Sequence, residues 1–395
     1  MCDLSPEPTR PGLSRRGLLV GGLAATGVAA SGSVTPVAAL NRRERKWAGD
    51  ARTRLVLLGT AGGPVWWPRS GRAGVASAVV VGDKYYLVDA GEGVGRQIRD
   101  ARLGNWQADL AGPLDALRAV FITHMHSDHV VDLNNLLTSG ISNGLRQVDQ
   151  PVQIWGPGDR GALPPLFGSA PPPPVVGPDS PTPGMREMLD LLARTYATDY
   201  NDRARDARAP VPAQLFSGHD VPIPSQFVDD PNGDPHPRMS PVPFYEDDRV
   251  RVSATLVQHA PVFPALAFRF DTEDGSVVFS GDTSPSDNLV ELATGAEVLV
   301  HEAMDSAWAE SLFPEPRDEI AQARLNHLLT AHTLIEQVGT VAERAGVETL
   351  VLNHLVPGYL PERRWREAQR GFSGRLVVGR DLDEIAVGRR RVRRH

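Results

Sequence analysis

The chain has 395 residues, an apolar content of 41% and a formal net charge of −7 at pH 7. These values permit a sizeable core, exclude a wholly disordered chain and give no sign of a general polyanion-binding surface. The single cysteine, Cys2, excludes a disulfide framework and leaves nitrogen and oxygen as the only metal-binding atoms of the mature chain.

The first element is Ser14-Arg15-Arg16-Gly17-Leu18-Leu19, a twin-arginine pattern followed by a Gly/Ala-rich apolar stretch to about Ala30. That stretch falls short of the roughly 20 apolar residues of a membrane span. Val37-Ala38-Ala39 offers small residues for cleavage, so residues 1–39 read as a twin-arginine (Tat) export signal and 40–395 as the mature body. The expected location is periplasmic, cell-wall or secreted, with no stable membrane anchor.

Short apolar runs at 55–58, 78–81, 85–88 and 119–122, bounded by Gly and Asp, predict strands. The last of them leads into Thr123-His124-Met125-His126-Ser127-Asp128-His129, the densest group of metal-binding side chains in the sequence. In an extended segment His124 and His126 share a side, and the chain must then turn for Asp128 and His129 to reach the same centre. Neutral imidazoles suit zinc, and the carboxylate also admits Mn²⁺ or Fe²⁺. Residues 132–137 begin a helix.

Residues 156–247 are proline-rich and read as an insertion made largely of loops. Within it Met185, Met188, Leu189, Leu192, Tyr196 and Tyr200 recur at three and four, which predicts one helix. That helix either docks on the body or acts as a lid whose Tyr196 and Tyr200 face the cleft. Strands are expected again at 250–256, 265–270, 277–280, 298–300 and 349–352, with helices at about 333–345 and 361–369. The arginine-rich residues 389–394 read as a solvated tail.

Read in order, these landmarks resemble the metallo-β-lactamase superfamily, in the branch holding tRNase Z and the arylsulfatase-like hydrolases. The opening run Leu55-Val56-Leu57-Leu58-Gly59-Thr60, then Val88-Asp89-Ala90-Gly91-Glu92-Gly93 and the histidine cluster carry the first half of the likeness. His259, Gly281-Asp282-Thr283, His301-Glu302-Ala303 and Asn353-His354 complete it. The resemblance implies an α/β fold, an αββα sandwich interrupted by the proline-rich insertion. It assigns His124, His126 and His259 to one metal, and Asp128, His129 and His354 to a second, with Asp282 bridging. The implied cofactor is two Zn²⁺. Asp89 is expected to orient a ligand or to cap its own turn. A proton donor is expected at His332, oriented by Glu302, with His327 as the competitor, and Asp128 is expected to act on the attacking water as well.

The loop after the first strand should lie near the cleft. Trp66 and Trp67 could pack on an apolar substrate group, and Arg69 or Arg72 could meet its anion. The export signal, the lack of room before Gly281 for the family's RNA-binding arm, and the absence of a basic groove argue against a nucleic-acid partner. The expected function is therefore an exported hydrolase of small sulfate or phosphate esters, with a homodimer left open. The alternatives are a tRNase Z-type endoribonuclease, a lactonase or other carboxylic-ester hydrolase, and a non-catalytic binding protein on the same fold.

Overall fold

Leu55, Val56, Leu57 and Leu58 are all buried in one strand, β1 (Thr53–Gly59), which requires apolar cover on both of its faces. Successive side chains alternate between faces, so Val56 and Leu58 enter one core while Leu55 and Leu57 enter another. The same division recurs in β3 (Lys84–Val88), where Tyr85 and Leu87 oppose Tyr86 and Val88, and in β4 (Leu117–Phe121). Two cores sharing one sheet make a layered sandwich.

The computed structural model describes residues 51–166 and 171–388. The twin-arginine segment, Cys2 and the basic tail lie outside the described residues. Besides β1, β3 and β4, the first sheet contains β2 (Ala76–Val81), β5 (Val152–Gly156), β6 (Phe216–Asp220) and β14 (Glu384–Ala386), in the order β14-β1-β2-β3-β4-β5-β6. The second contains β7 (Val242–Glu246), β8 (Val250–Leu256), β9 (Leu266–Thr272), β10 (Ser276–Phe279), β11 (Val298–Met304), β12 (Thr349–Val356) and β13 (Arg375–Val378), in the order β13-β12-β11-β10-β9-β8-β7.

Helices α1 (Val94–Asp100), α2 (Ser127–Val130) and α3 (Leu133–Gly140) follow β3 and β4. The insertion adds α4 (Met185–Thr195), α5 (Ala197–Ala207) and α6 (Pro212–Leu215). After it come α7 (Asp287–Ala293), α8 (Ser306–Ser311), α9 (Glu319–Ala331), α10 (Ile335–Ala345) and α11 (Glu362–Trp365). Val94, Ile98, Leu133 and Leu137 cover the outer face of the first sheet. Leu289, Leu292, Ile335, Val338 and Trp365 cover that of the second. Phe121, Phe268 and Phe270 fill the space between the sheets with edge-to-face rings 5.1–5.9 Å apart. The architecture is the expected αββα sandwich.

Two expectations are corrected. The insertion is not only loops: it supplies β6, which extends the first sheet in parallel with β5, and β7, which closes the edge of the second. The predicted single helix is two, because Tyr196 (φ −102°, ψ 19°) leaves helical geometry between α4 and α5. Met185 and Leu189 of α4 are buried in the core of the first sheet.

β3, β4, β5 and β6 run parallel, as do β10, β11, β12 and β13. Parallel strands bring their carboxyl ends to one rim, where side chains of the following turns converge. Both sheets deliver chemistry-bearing residues to this rim.

Candidate metal-binding active site

β4 leads the chain to Thr123 and His124, both buried. His126 keeps an extended backbone (φ −65°, ψ 147°) at the start of α2, and that single turn carries Asp128 and His129 back toward His124. On the second sheet, Gly281 follows β10 at φ 59°, and a Cβ there would meet the Leu266 carbonyl oxygen at 2.6 Å. Only glycine fits that turn, which sets the direction of Asp282. β12 reaches the site through a bulge. Glu302 pairs with Asn353 and Ala303 with Leu355, so His354 is the extra residue, at φ 42°. The bulge re-aims its ring out of the ladder and into the rim.

These turns bring all of the expected ligands together. Ligand atoms of His124, His126, His259 and Asp282 lie within 4.8 Å of one another, and so do those of Asp128, His129 and His354. Asp282 stands between the sets. Its Oδ2 is 3.8 Å from His124 Nε2, 3.9 Å from His259 Nε2 and 3.3 Å from His354 Nε2, and its Oδ1 is 3.4 Å from His129 Nε2. His354 Nε2 lies 3.2 Å from Asp128 Oδ2.

The donor set fits divalent cations. Among the described residues, Nε2 of His124, Nε2 of His129 and Oδ1 of Asp282 are buried without a hydrogen-bond partner, a costly arrangement for polar atoms that point at one centre. The ion-pair contacts of Asp282 among the described residues all run to histidines. Burial holds His124 well below the ordinary imidazole range and brings His259 down to about 3, so both are neutral, the form that binds a metal. Burial opposes ionisation of Asp282, but His354 and His129 outweigh it and hold the carboxyl well below its usual range. Asp128 is lowered against its burial by the hydrogen bond to His354 and the charge of His129. His129 and His354 are raised in return, against their own burial. Buried carboxylates here demand positive charge, which protonated imidazoles or cations supply.

A further layer of contacts orients these groups. His129 Nδ1 lies 2.9 Å from Asp89 Oδ2, and the Thr123 amide and hydroxyl donate to the same carboxylate. Asp89 therefore touches a ligand rather than capping its own turn. His259 Nδ1 donates to the Ala331 carbonyl at 2.8 Å, which leaves Nε2 for the centre. The Gly63 amide donates to Asp128 Oδ2 at 2.9 Å. His332 Nδ1 is 2.9 Å from Glu302 Oε2, and that carboxylate also accepts from the Thr283 amide at 2.6 Å. Burial works against protonation of His332, but Glu302 beside it holds the imidazole up to about 9. The competitor His327 is half-buried, its ring centroid 6.4 Å from those of His259 and His332.

A cleft of about 640 Å³ opens beside Asp128, walled by Val65, Trp66, Trp67, Arg72, Glu92 and Val131. Trp66 is 90% exposed, whereas Trp67 is half-buried and donates its indole N–H to the Gly62 carbonyl. Arg72 braces the backbone: Nε donates to the Gly358 carbonyl at 3.1 Å and Nη1 to the Gly379 carbonyl at 2.8 Å. Arg69 is exposed and lies over the Tyr359 ring, outside the cleft wall. Contrary to a lid, Tyr196 accepts from Asn134 Nδ2 at 3.0 Å, Tyr200 is buried, and neither lines the cleft. Sequence reasoning missed Thr123, Gly63, Val131 and the Ala331 carbonyl. Thr123 sits inside the histidine motif and was visible there; a carbonyl on a distant helix carries no sequence signal.

The sequence matches the profile of the Metallo-beta-lactamase superfamily over residues 70–320. A Ribonuclease Z of Mycobacterium bovis is 31% identical over 345 residues, covering 85% of this chain and 99% of that protein. The Ribonuclease Z of Mycobacterium marinum is 30% identical over 339 residues, covering 84% and 98%. Human tRNase Z, short form, superposes with a TM-score of 0.52 at 19% identity, covering 85% of this chain and 100% of that one, a likeness of fold alone. The resemblance read from the motifs is borne out, together with the fold and the hydrolase class. The expectation against a nucleic-acid partner is overturned, because the relatives matched along nearly their whole length are named ribonucleases. Net charge averages over the whole surface and says little about the field at one cleft.

Proposed function

This chain belongs to the metallo-β-lactamase superfamily, in its ribonuclease Z branch, and from that premise we propose that it is an endoribonuclease that cleaves precursor tRNA at its 3′ end. The observation that carries the reading is the juxtaposition at one rim of two ligand sets about Asp282 and the His332–Glu302 pair. The first set is His124, His126 and His259, the second Asp128, His129 and His354, with Asp282 serving both. Two divalent cations, zinc first among them, would supply Lewis acidity at the phosphate and a water acidic enough to ionise near neutral pH.

The side chains account for the rest of the reaction. Asp128 Oδ2, held by the Gly63 amide, accepts a hydrogen bond from the attacking water and orients it. The water oxygen forms the new bond to phosphorus as the bond to the leaving ribose oxygen breaks. His332, whose Nδ1 faces Glu302, uses Nε2 to give that oxygen its proton. Glu302 fixes the ring and favours its charged form.

The turn joining β9 to β10 is tight, with the Thr272 amide donating to the Gly275 carbonyl at 3.0 Å. RNA contacts beyond the cleft therefore rest on other surfaces of the chain. The test is direct. Metal-reconstituted protein is offered a precursor tRNA with a 3′ trailer, beside an aryl sulfate, a phosphodiester and a lactone. Cleavage at the trailer junction, abolished by chelation, is expected. Turnover of the aryl sulfate or lactone with the precursor left intact would favour the small-ester reading instead.

A further inference from the structure

Trp66 presents 90% of its surface to solvent on the wall of the cleft that reaches Asp128. Its neighbours explain how the indole is held there. Trp67 is anchored by its N–H to the Gly62 carbonyl at 2.8 Å and by edge contacts to Trp308 and Tyr359, with ring centroids 5.5 and 5.9 Å away. Gly63, on the other side, donates its amide to Asp128 Oδ2 at 2.9 Å. The loop is thus pinned to the ligand cluster before Trp66 and to an aromatic cluster after it. Trp67 is seated in this aromatic cluster, whereas Trp66 beside it stays exposed. Three residues span at most about 11 Å. The root of the indole therefore stands within about 11 Å of an amide that touches Asp128.

Resting on the ribonuclease reading, we infer that Trp66 is a stacking platform for the base of a nucleotide flanking the cleaved phosphodiester. An unpaired base in RNA offers a π-face of the size of an indole, and stacking on aromatic side chains is how single strands are commonly held. The cleft falls within the roughly 300–1,000 Å³ range of sites that enclose one small ligand group. Val131 adds apolar surface to the same wall, and the exposed carboxylate of Glu92 can accept from an exocyclic amino group of the base. Arg72, turned to the Gly358 and Gly379 carbonyls, leaves recognition in this cleft to stacking more than to charge. Stacking tolerates any base, so the subsite adds affinity and register rather than sequence choice.

The test is a cycle between protein and RNA. Trp66→Ala and Trp66→Phe are compared with the wild type on a precursor tRNA, and on the same RNA with one abasic nucleotide on either side of the cleavage site. One base–aromatic stack corresponds to a loss of about 5- to 160-fold in kcat/KM. Trp66→Ala should show that loss on the natural RNA and a clearly smaller one on one of the two abasic RNAs, with Trp66→Phe close to wild type. Equal losses on all three substrates would overturn the stacking subsite while leaving the ribonuclease reading in place. Wild-type protein that cleaves none of the three would overturn both.

Discussion

Nδ1 of His332 lies 2.9 Å from Oε2 of Glu302, and both side chains are buried at the rim where the two ligand sets meet. A carboxylate fixed in turn by the Thr283 amide leaves the imidazole one orientation, with Nδ1 on Glu302 and Nε2 on the opposite side of the ring. A general acid contributes about 10²–10⁴-fold, and less when the leaving group needs no proton. His332→Ala should therefore lower turnover by that factor for an alkoxide leaving group and far less for a nitrophenolate, with metal content unchanged. His327→Ala should show no such leaving-group dependence. The reverse pattern in a series of phosphodiesters would move the donor to His327.

Asp282 touches members of both ligand sets, so no substitution nearby should be more damaging to the pair of metals. Asp282→Ala is expected to reduce bound zinc from two per chain to one or fewer and turnover by several orders of magnitude. Elemental analysis of reconstituted protein beside the wild type gives the stoichiometry. Two tightly held ions in the variant would remove Asp282 from its shared position.

Asp89 acts one step away, through its contact with His129 Nδ1. Groups in that position typically change metal affinity by 10- to 100-fold when replaced. Asp89→Asn keeps the size of the side chain and an acceptor for Thr123 but weakens the hold on His129. Competition with a chelator should show a loss in that range for one of the two ions, with the circular dichroism spectrum unchanged. Wild-type affinity for both ions would make Asp89 a purely structural residue.

Trp365 has no exposed surface and belongs to the core between the second sheet and its helices. Trp365→Ala should cost about 3–5 kcal/mol, as other large-to-small changes in cores do. Urea denaturation of the metal-loaded protein measures it, and Trp365→Phe should lose less. A cost below about 1 kcal/mol would mean that this layer repacks freely.

Much of the fold and most of the site were legible in the sequence. The strands at 55–58, 85–88 and 119–122 are short apolar runs whose two-residue alternation is a local property, and the structure places strands there. His124, His126, Asp128 and His129 lie so close along the chain that one extended stretch and one helical turn suffice to gather them. For His259, Asp282, Glu302, His332 and His354 the order of motifs was the signal, since nothing local distinguishes any of them from an ordinary strand-end or helix-end residue. Less legible were β6 and β7, because an edge strand takes its structure from the neighbour it bonds to, and the break at Tyr196, because helical periodicity continues across it.

By itself the sequence determined the layered α/β architecture and the chemistry of the donor set, since side-chain alternation and residue type are written along the chain. Only the tertiary structure decided how the donors meet. The bulge at His354, the turn at Gly281 and the carbonyl of Ala331 behind His259 depend on contacts between segments far apart in sequence. The same holds for Trp66 and Trp67, adjacent and chemically identical on one cleft wall, of which packing against Trp308 and Tyr359 half-buries one and leaves the other exposed.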